Sequence, residues 1–496
     1  MIVLMVSSLI SVPAFAGGVF TVKDALTAAV ENNLGIQAAG FAVKSKEAGI
    51  EQFKAEYDPY VAASAGAENF VSPNSYSVYD EDFQRRNDFT GGVSLVKKHE
   101  TGFTAGVTLN SSRLSNNDDY EELDPAYETS VEFDINVPLM KNYGKETGTA
   151  GIRTAENEFL RSGFDYLSSA LDASVGAETA FCAYQRALSV LEYRKESREL
   201  AIKLLEANKK KFEAGVIPVT EVQEAETAVA SRDEKVIAAG QDVESALNNL
   251  ENIINISIPE SSAIPRLAEI DGFAAGIEDS LKTARRSRPD LLKQKLVLEN
   301  SDIQLKYLKN QELPILDLNA SLGVNGLSGR EAEDNRFKGS YADSYGSMAE
   351  GDGYSWYVGV NFKYPFGNRY AVSKSSSARS EKMRQLVMMK KLDSDALTEI
   401  KNALVLINGS RERFDVAGRF QRLAETTLAQ ETRRMEEGLS DTFRILDFQD
   451  DVIEAKIRAL NALYDYNRGL ALLHRAEGTS LSRYGIHFRY ADDSVM

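Results

Sequence analysis

Cysteine, histidine and tryptophan are nearly missing from this 496-residue chain, which has one, three and one of them. The lone Cys182 excludes an intramolecular disulfide and any thiolate cluster, and its place between Phe181 and Ala183 in a helical pattern marks it as a buried, inert thiol. His99, His474 and His487 are too scattered to offer ligand spacing, so neither a metal nor a cofactor is expected. A basic surface is missing too: the formal charge is −17 with a pI near 4.9, which argues against a nucleic-acid partner because no face can neutralise phosphates. No phosphate-cradling glycine loop, zinc spacing or nucleophile–base pair emerges, and the chain does not read as an enzyme. Beyond the N-terminus no run of eighteen apolar residues occurs, so a membrane would have to be crossed as a closed β-barrel.

What is present begins with an apolar run from Ile2 to Leu9, followed by Pro13 and by Ala14-Phe15-Ala16. That order reads as a signal peptide over residues 1–16, with the mature chain starting at Gly17, although the usual positive n-region is missing. The 43% hydrophobic content is enough for a stable core.

The segment from Phe20 to Glu56 is helical in pattern, with Asn32-Asn33 as an interruption. From Tyr57 the period changes to two. Strands are expected near 58–70, 88–97, 103–112 and 128–138; in the last, Val131, Phe133, Ile135 and Val137 alternate with Glu132, Asp134 and Asn136. Such alternation suits a strand with lipid on one side and water on the other, and equally a sandwich with a core on one side. From Ile152 to Ile256 the pattern is helical again, with Leu160, Phe164, Leu167, Leu171 and Val175 as a packed seam. Gly215 and Pro218 divide it into helices of roughly 62 and 38 residues, about 90 Å and 57 Å long. A compact enzyme has little use for helices of that length.

The plan then repeats. A shift of 255 carries Asp24, Leu26, Ala29 and Pro59 onto Asp279, Leu281, Ala284 and Pro314, and a shift of 223 carries Ala155, Ala180 and Gly215 onto Ala378, Ala403 and Gly438. Strands recur from 315 to 365 and long helices from 372 to 476. The expected organisation is a first repeat over 17–256 (strands 57–138, helices 152–256), a second over 257–478 and a tail over 479–496.

With these elements in place the chain resembles the TolC family of outer-membrane efflux proteins over essentially all of the mature sequence. The resemblance is carried by Phe20-Thr21-Val22-Lys23-Asp24-Ala25-Leu26, by the strand-ending segments around Pro138 and Pro365, and by the turns Phe212-Glu213-Ala214-Gly215 and Met435-Glu436-Glu437-Gly438. It implies an α+β membrane protein, a homotrimer whose protomers share one transmembrane β-barrel continued by a long α-helical periplasmic tube, with two similar halves per protomer. It implies the cell outer membrane as location, and the role of an exit channel in a tripartite efflux pump or type I secretion system. The partners it implies are a periplasmic adaptor protein, an inner-membrane pump and outer-membrane lipid. The first half departs from the simplest plan, with four strands against two in the second. Either the barrel is enlarged, to eighteen strands in the trimer, or a hairpin lies outside it.

The resemblance also implies a periplasmic gate just past the helix-tip turns at Gly215, Pro218 and Gly438. Glu221 and Asp447 match acidic positions of the family's constriction, Glu224 extends the first pair, and Arg444 stands where an acid is often found. An exposed, salt-bridged helix surface is the plainer alternative for these four. Acidic loops between strands, at Asp80, Glu81 and Asp82, at Asp118 to Asp124, and at Glu331, Glu333, Asp334, Asp343 and Asp352, read as outward-facing. The alternative for the whole chain is an exported coiled-coil structural or adhesin protein without channel activity. It leaves unexplained why strands end in proline and lead into a long helix twice.

Overall fold

The computed structural model describes residues 18–73, 82–118, 121–270, 272, 275–331, 338–351 and 353–486. The signal segment and the loop acids Asp80, Glu81, Asp119, Glu333, Asp334 and Asp352 lie outside the described residues. In chain order the elements are α1 (Val22–Asn32), α2 (Leu34–Lys54), β1 (Tyr60–Pro73), β2 (Phe83–Lys98), β3 (Thr104–Asn116), β4 (Leu123–Pro138), α3 (Lys145–Gly148), α4 (Ala150–Glu213) and α5 (Val219–Ile254). They continue as α6 (Ile277–Ser287), α7 (Pro289–Asn310), β5 (Ile315–Glu331), α8 (Tyr341–Glu350), β6 (Gly353–Lys363), α9 (Arg369–Glu436), α10 (Thr442–Glu477) and α11 (Ser480–Arg483). No helix among the described residues is long and apolar enough to cross a membrane. The chain divides into two compact units, Met1–Lys44 with Leu160–Lys295 and Val387–Met496, and Ser45–Phe159 with Leu296–Leu386.

The first unit is helical and repeats itself. Shifted by 255, α1 and α2 fall on α6 and α7; shifted by 223, α5 falls on α10 at both ends. The packing repeats as well. Ala29, Ala177, Ala180, Phe181 and Leu250 build one core cluster, and their counterparts Ala284, Ile400, Ala403, Leu404 and Leu473 build the other. Small residues at the same places let helices approach closely in each copy. A capping box starts α1, where the Thr21 backbone N–H donates to Asp24 Oδ2 at 2.9 Å. Cys182 is buried in a third cluster beside Leu267 and Leu460, and loss of solvation pushes its thiol up to about 12. The segment from 479, read from sequence as a tail, begins with the docked helix α11. Its Ser480 and Leu481 are buried, and the Tyr484 hydroxyl donates to Glu178 at 2.6 Å.

The second unit carries one antiparallel sheet in the order β1-β2-β3-β4-β5-β6. The strands run several residues further than their apolar alternation, since backbone pairing continues through polar ends such as Arg85–Asp88 and Ser111–Asn116. All six share the sheet, so the β2–β3 hairpin is inserted into it. The two repeat shifts differ by 32 residues (255 less 223), which is about the span of that hairpin and its connections.

Directly paired residues in antiparallel strands point to the same side, so the register defines two faces. One row reads Ala63, Val93, Leu109, Val131, Val324 and Tyr354, and the next Val61, Leu95, Val107, Phe133, Leu322 and Trp356. On the opposite face a row reads Ala62, Ser94, Thr108, Glu132, Gly323 and Ser355. Away from its loop end the apolar face is bare: Trp356 is 69% exposed and Phe362 64%.

The last inter-strand connection differs from the expected loop. Glu331 is the final residue of β5, and Asp343 belongs to α8, where its carboxylate accepts the Ser340 backbone N–H at 2.8 Å in a capping box. This short helix packs on the apolar face at its loop end: Thr129 Oγ1 donates to the Ser344 carbonyl at 3.1 Å, and the Tyr127 and Tyr341 rings lie 4.6 Å apart. The approach is close because residue 326 is glycine; a Cβ there would run into the Ser344 carbonyl oxygen and the Met348 side chain. Gly326→Ala is therefore expected to lift α8 off the sheet while leaving the strands paired. Hydrogen exchange should show protection lost over 341–350 and retained in β4 and β5.

Candidate functional site

Glu221, Glu224, Arg444 and Asp447, the four residues expected at a gate, sit just past two helical turns that are built alike. At the end of α4 the Gly215 N–H donates to Phe212 O at 2.8 Å and the Val216 N–H to Lys211 O at 2.9 Å. At the end of α9 the Gly438 N–H donates to Met435 O at 3.2 Å and the Leu439 N–H to Arg434 O at 2.8 Å. Both glycines are left-handed, with φ of +73° and +77°, the conformation this helix stop requires. Pro218 then occupies the cap of α5 and Asp441 the cap of α10, where the Asp441 carboxylate accepts the Arg444 N–H at 2.8 Å.

Glu221 ties the two turns together. Its Oε2 accepts the Thr442 backbone N–H at 2.9 Å, placing a carboxylate on the positive end of α10. Asn208, wholly buried on α4, donates to the Glu221 carbonyl at 3.1 Å and to Thr442 Oγ1 at 2.7 Å. Arg444 pairs within its own hairpin, with Glu431 at 3.5 Å; the same buried carboxylate accepts from Ser440 Oγ at 2.6 Å and meets Arg434 at 3.4 Å. Shifted by 223, Asn208 falls on Glu431 and Glu221 on Arg444. Each hairpin thus holds a buried polar side chain seven residues before its glycine, against the residue six places after it. Extending the repeat shift to polar positions would have found Asn208 and Glu431. The charge pairs near the turns do not point to them.

Glu224 and Asp447 converge along a cleft of about 590 Å³ between α5 and α10, which Phe443, Asp450 and Arg232 also line. Arg232 is buried and donates to Ser197 O at 2.9 Å, Gln449 Oε1 at 2.8 Å and Leu446 O at 3.2 Å, with Asp450 at 3.1 Å. Burial pulls its guanidinium below the usual arginine range, and Asp450 pulls the other way. One α5 side chain therefore holds both α4 and α10. The arrangement is a latch of hydrogen bonds and ion pairs around an acidic cleft. Among the described residues no group of three or more metal-ligating side chains occurs.

Pro138 closes β4, and the next backbone N–H, of Leu139, donates to Leu316 O at 2.7 Å. Pro365 lies two residues past the end of β6, in a turn where the Asn368 N–H donates to Pro365 O at 3.1 Å. Both prolines mark the passage from strand to helix, where a missing N–H costs the ladder nothing.

Known proteins share this architecture. The Campylobacter jejuni CmeC outer membrane channel superposes with a TM-score of 0.66 at 17% identity, over 92% of this chain and 86% of that one. The outer membrane protein VceC of Vibrio cholerae gives 0.64 at 14% identity, over 92% and 96%. In sequence, the outer membrane protein TolC of Escherichia coli (strain K12) is 21% identical over 295 residues, 58% of this chain. That match spans 57% of TolC's own length. The outer membrane efflux protein family matches residues 101–255 and 280–479, taking in β4, the long helices of both repeats and both glycine turns. The chain belongs to the outer membrane efflux protein family.

Proposed function

We propose that the protein is the outer-membrane exit channel of an efflux or secretion system, working as a homotrimer with a periplasmic adaptor and an inner-membrane pump. The observation that carries this reading is the two-faced sheet, apolar and largely exposed on one side and polar on the other, with β1 and β6 as its edge strands. Open edges and an exposed apolar face are untenable in one chain by itself. Symmetric copies joined edge to edge remove the edges and turn the apolar face toward lipid. Three copies of a six-stranded sheet make an eighteen-stranded barrel with the row of Glu132 inside. The alternating face supports this reading over an exported adhesin, which has no use for it.

In this reading Glu221, Glu224, Arg444 and Asp447 form the periplasmic gate. Closure rests on Glu221 capping α10 and on Arg444 neutralising Glu431, while Glu224 and Asp447 present carboxylates to the cleft and favour cations. The test is single-channel conductance in planar bilayers. Arg444→Ala removes a half-exposed ion pair of about 1 kcal/mol in each protomer, so open probability should rise about fivefold or more. Glu224→Gln with Asp447→Asn should lower cation selectivity without opening the channel. Unchanged conductance and unchanged selectivity would show that these residues only decorate the helix surface.

A further inference from the structure

Charge is divided between the two faces of the sheet. At the regularly paired positions every carboxylate, namely Glu68, Asp88, Glu128, Glu132, Asp134 and Asp317, lies on the polar face. The apolar face carries none there. Its charged residues are all cationic: Lys97 at the helix-connected end of β2, and Arg85 and Arg113 near the loop-connected end, joined by Arg330 through strand alternation. Among the described residues none of the three arginines is in an ion pair. Arg113 instead lies in the row Phe89, Arg113, Tyr127, with its guanidinium 5.9 Å from the Phe89 ring, and Tyr127 meets Tyr341 of α8. Arginine stacked on an aromatic ring beside tyrosine hydroxyls, at the rim of an apolar band, is the composition of a membrane–water boundary. Guanidinium groups at such a boundary match phosphate oxygens in charge and geometry.

We propose that the loop-connected rim of the apolar face binds a phosphate-bearing lipid of the outer leaflet, held through its phosphates by Arg85, Arg113 and Arg330. The proposal rests on the reading that the apolar face meets lipid. Lys97, at the opposite rim, takes no part.

The experiment is native mass spectrometry of the detergent-solubilised protein titrated with bisphosphorylated lipid A, with dephosphorylated lipid A and with inorganic phosphate. The wild type should bind the bisphosphorylated lipid roughly tenfold more tightly than the dephosphorylated one. The triple variant Arg85→Gln, Arg113→Gln, Arg330→Gln should lose that preference, Arg113→Lys should keep part of it, and Lys97→Gln should keep all of it. Equal affinity for the two lipids, or an unchanged preference in the triple variant, would overturn the proposal. Inorganic phosphate displacing the lipid at equal concentration would overturn it too, and assign the arginines to a free anion. A protein that stays soluble without detergent and retains neither lipid would instead bring down the lipid-face reading itself.

Discussion

Val131→Arg is expected to cost about 2–4 kcal/mol in each protomer when the protein is reconstituted in lipid vesicles, the penalty for arginine near the middle of a bilayer on the lipid side of a barrel. Val131 lies mid-strand on β4, paired with Leu109 on one side and Val324 on the other, inside the apolar row. Its neighbour Ser130 pairs with Asn110 and Asn325 and faces the other way. Ser130→Arg therefore puts the same side chain one residue along the same strand but into water, and should cost well under 1 kcal/mol by the ordinary rule for exposed substitutions. Urea unfolding in vesicles measures both. Equal costs for the two variants would mean that the two sides of the sheet meet the same surroundings.

Arg232→Met is expected to be the most damaging substitution at the helical tips. The arginine side chain is only 4% exposed and reaches two backbone carbonyls, Gln449 and Asp450. Methionine fills much of the volume but leaves the Ser197 and Leu446 carbonyls and Gln449 Oε1 without that donor. The two carbonyls keep their bonds within α4 and α10, so the orphaned acceptor is Gln449 Oε1, at about 1–3 kcal/mol; with the tie between the helices also lost, a net loss of about 2–3 kcal/mol is expected. Asp450 is 42% exposed, and water replaces much of what it loses. Arg232→Lys keeps the charge but cannot fork to several acceptors, and should fall between wild type and Arg232→Met. Thermal unfolding followed by helix ellipticity checks the order; a methionine variant within about 0.5 kcal/mol of wild type would contradict it.

The long helices and their doubling were legible because they rest on two strong local codes: apolar residues at helical spacing, and glycine where the chain turns left-handed. Gly215 and Gly438 carry the second code, and the matched cores around Phe181 and Leu404 follow from the first. The alternating strands were legible for the same reason, but their ends were not, since backbone pairing runs on through Arg, Asn and Ser once a neighbour is in place. Helix α8 was missed because its stripe, Tyr341, Tyr345 and Met348, is short and set among Ser, Gly and acidic residues that read as loop; it is held by Ser344 against Thr129 and by the space at Gly326. At the tips the four charged positions were singled out by the family resemblance, and their partners were not legible at all. Asn208 and Glu431 sit in polar stretches that read as surface, and only folding buries them.

In the proposed channel the apolar face of the sheet meets lipid, and the sole tryptophan reports on it directly. Trp356 sits on that face in β6, in the row with Phe133 and Leu322, and no other tryptophan contributes to the emission. The measurement is tryptophan fluorescence of the wild-type protein in vesicles made with lipids brominated on their acyl chains. The expected result is blue-shifted emission, strongly quenched by the brominated chains and untouched by aqueous iodide. Red-shifted emission that iodide quenches and brominated lipid does not would place Trp356 in water and contradict it.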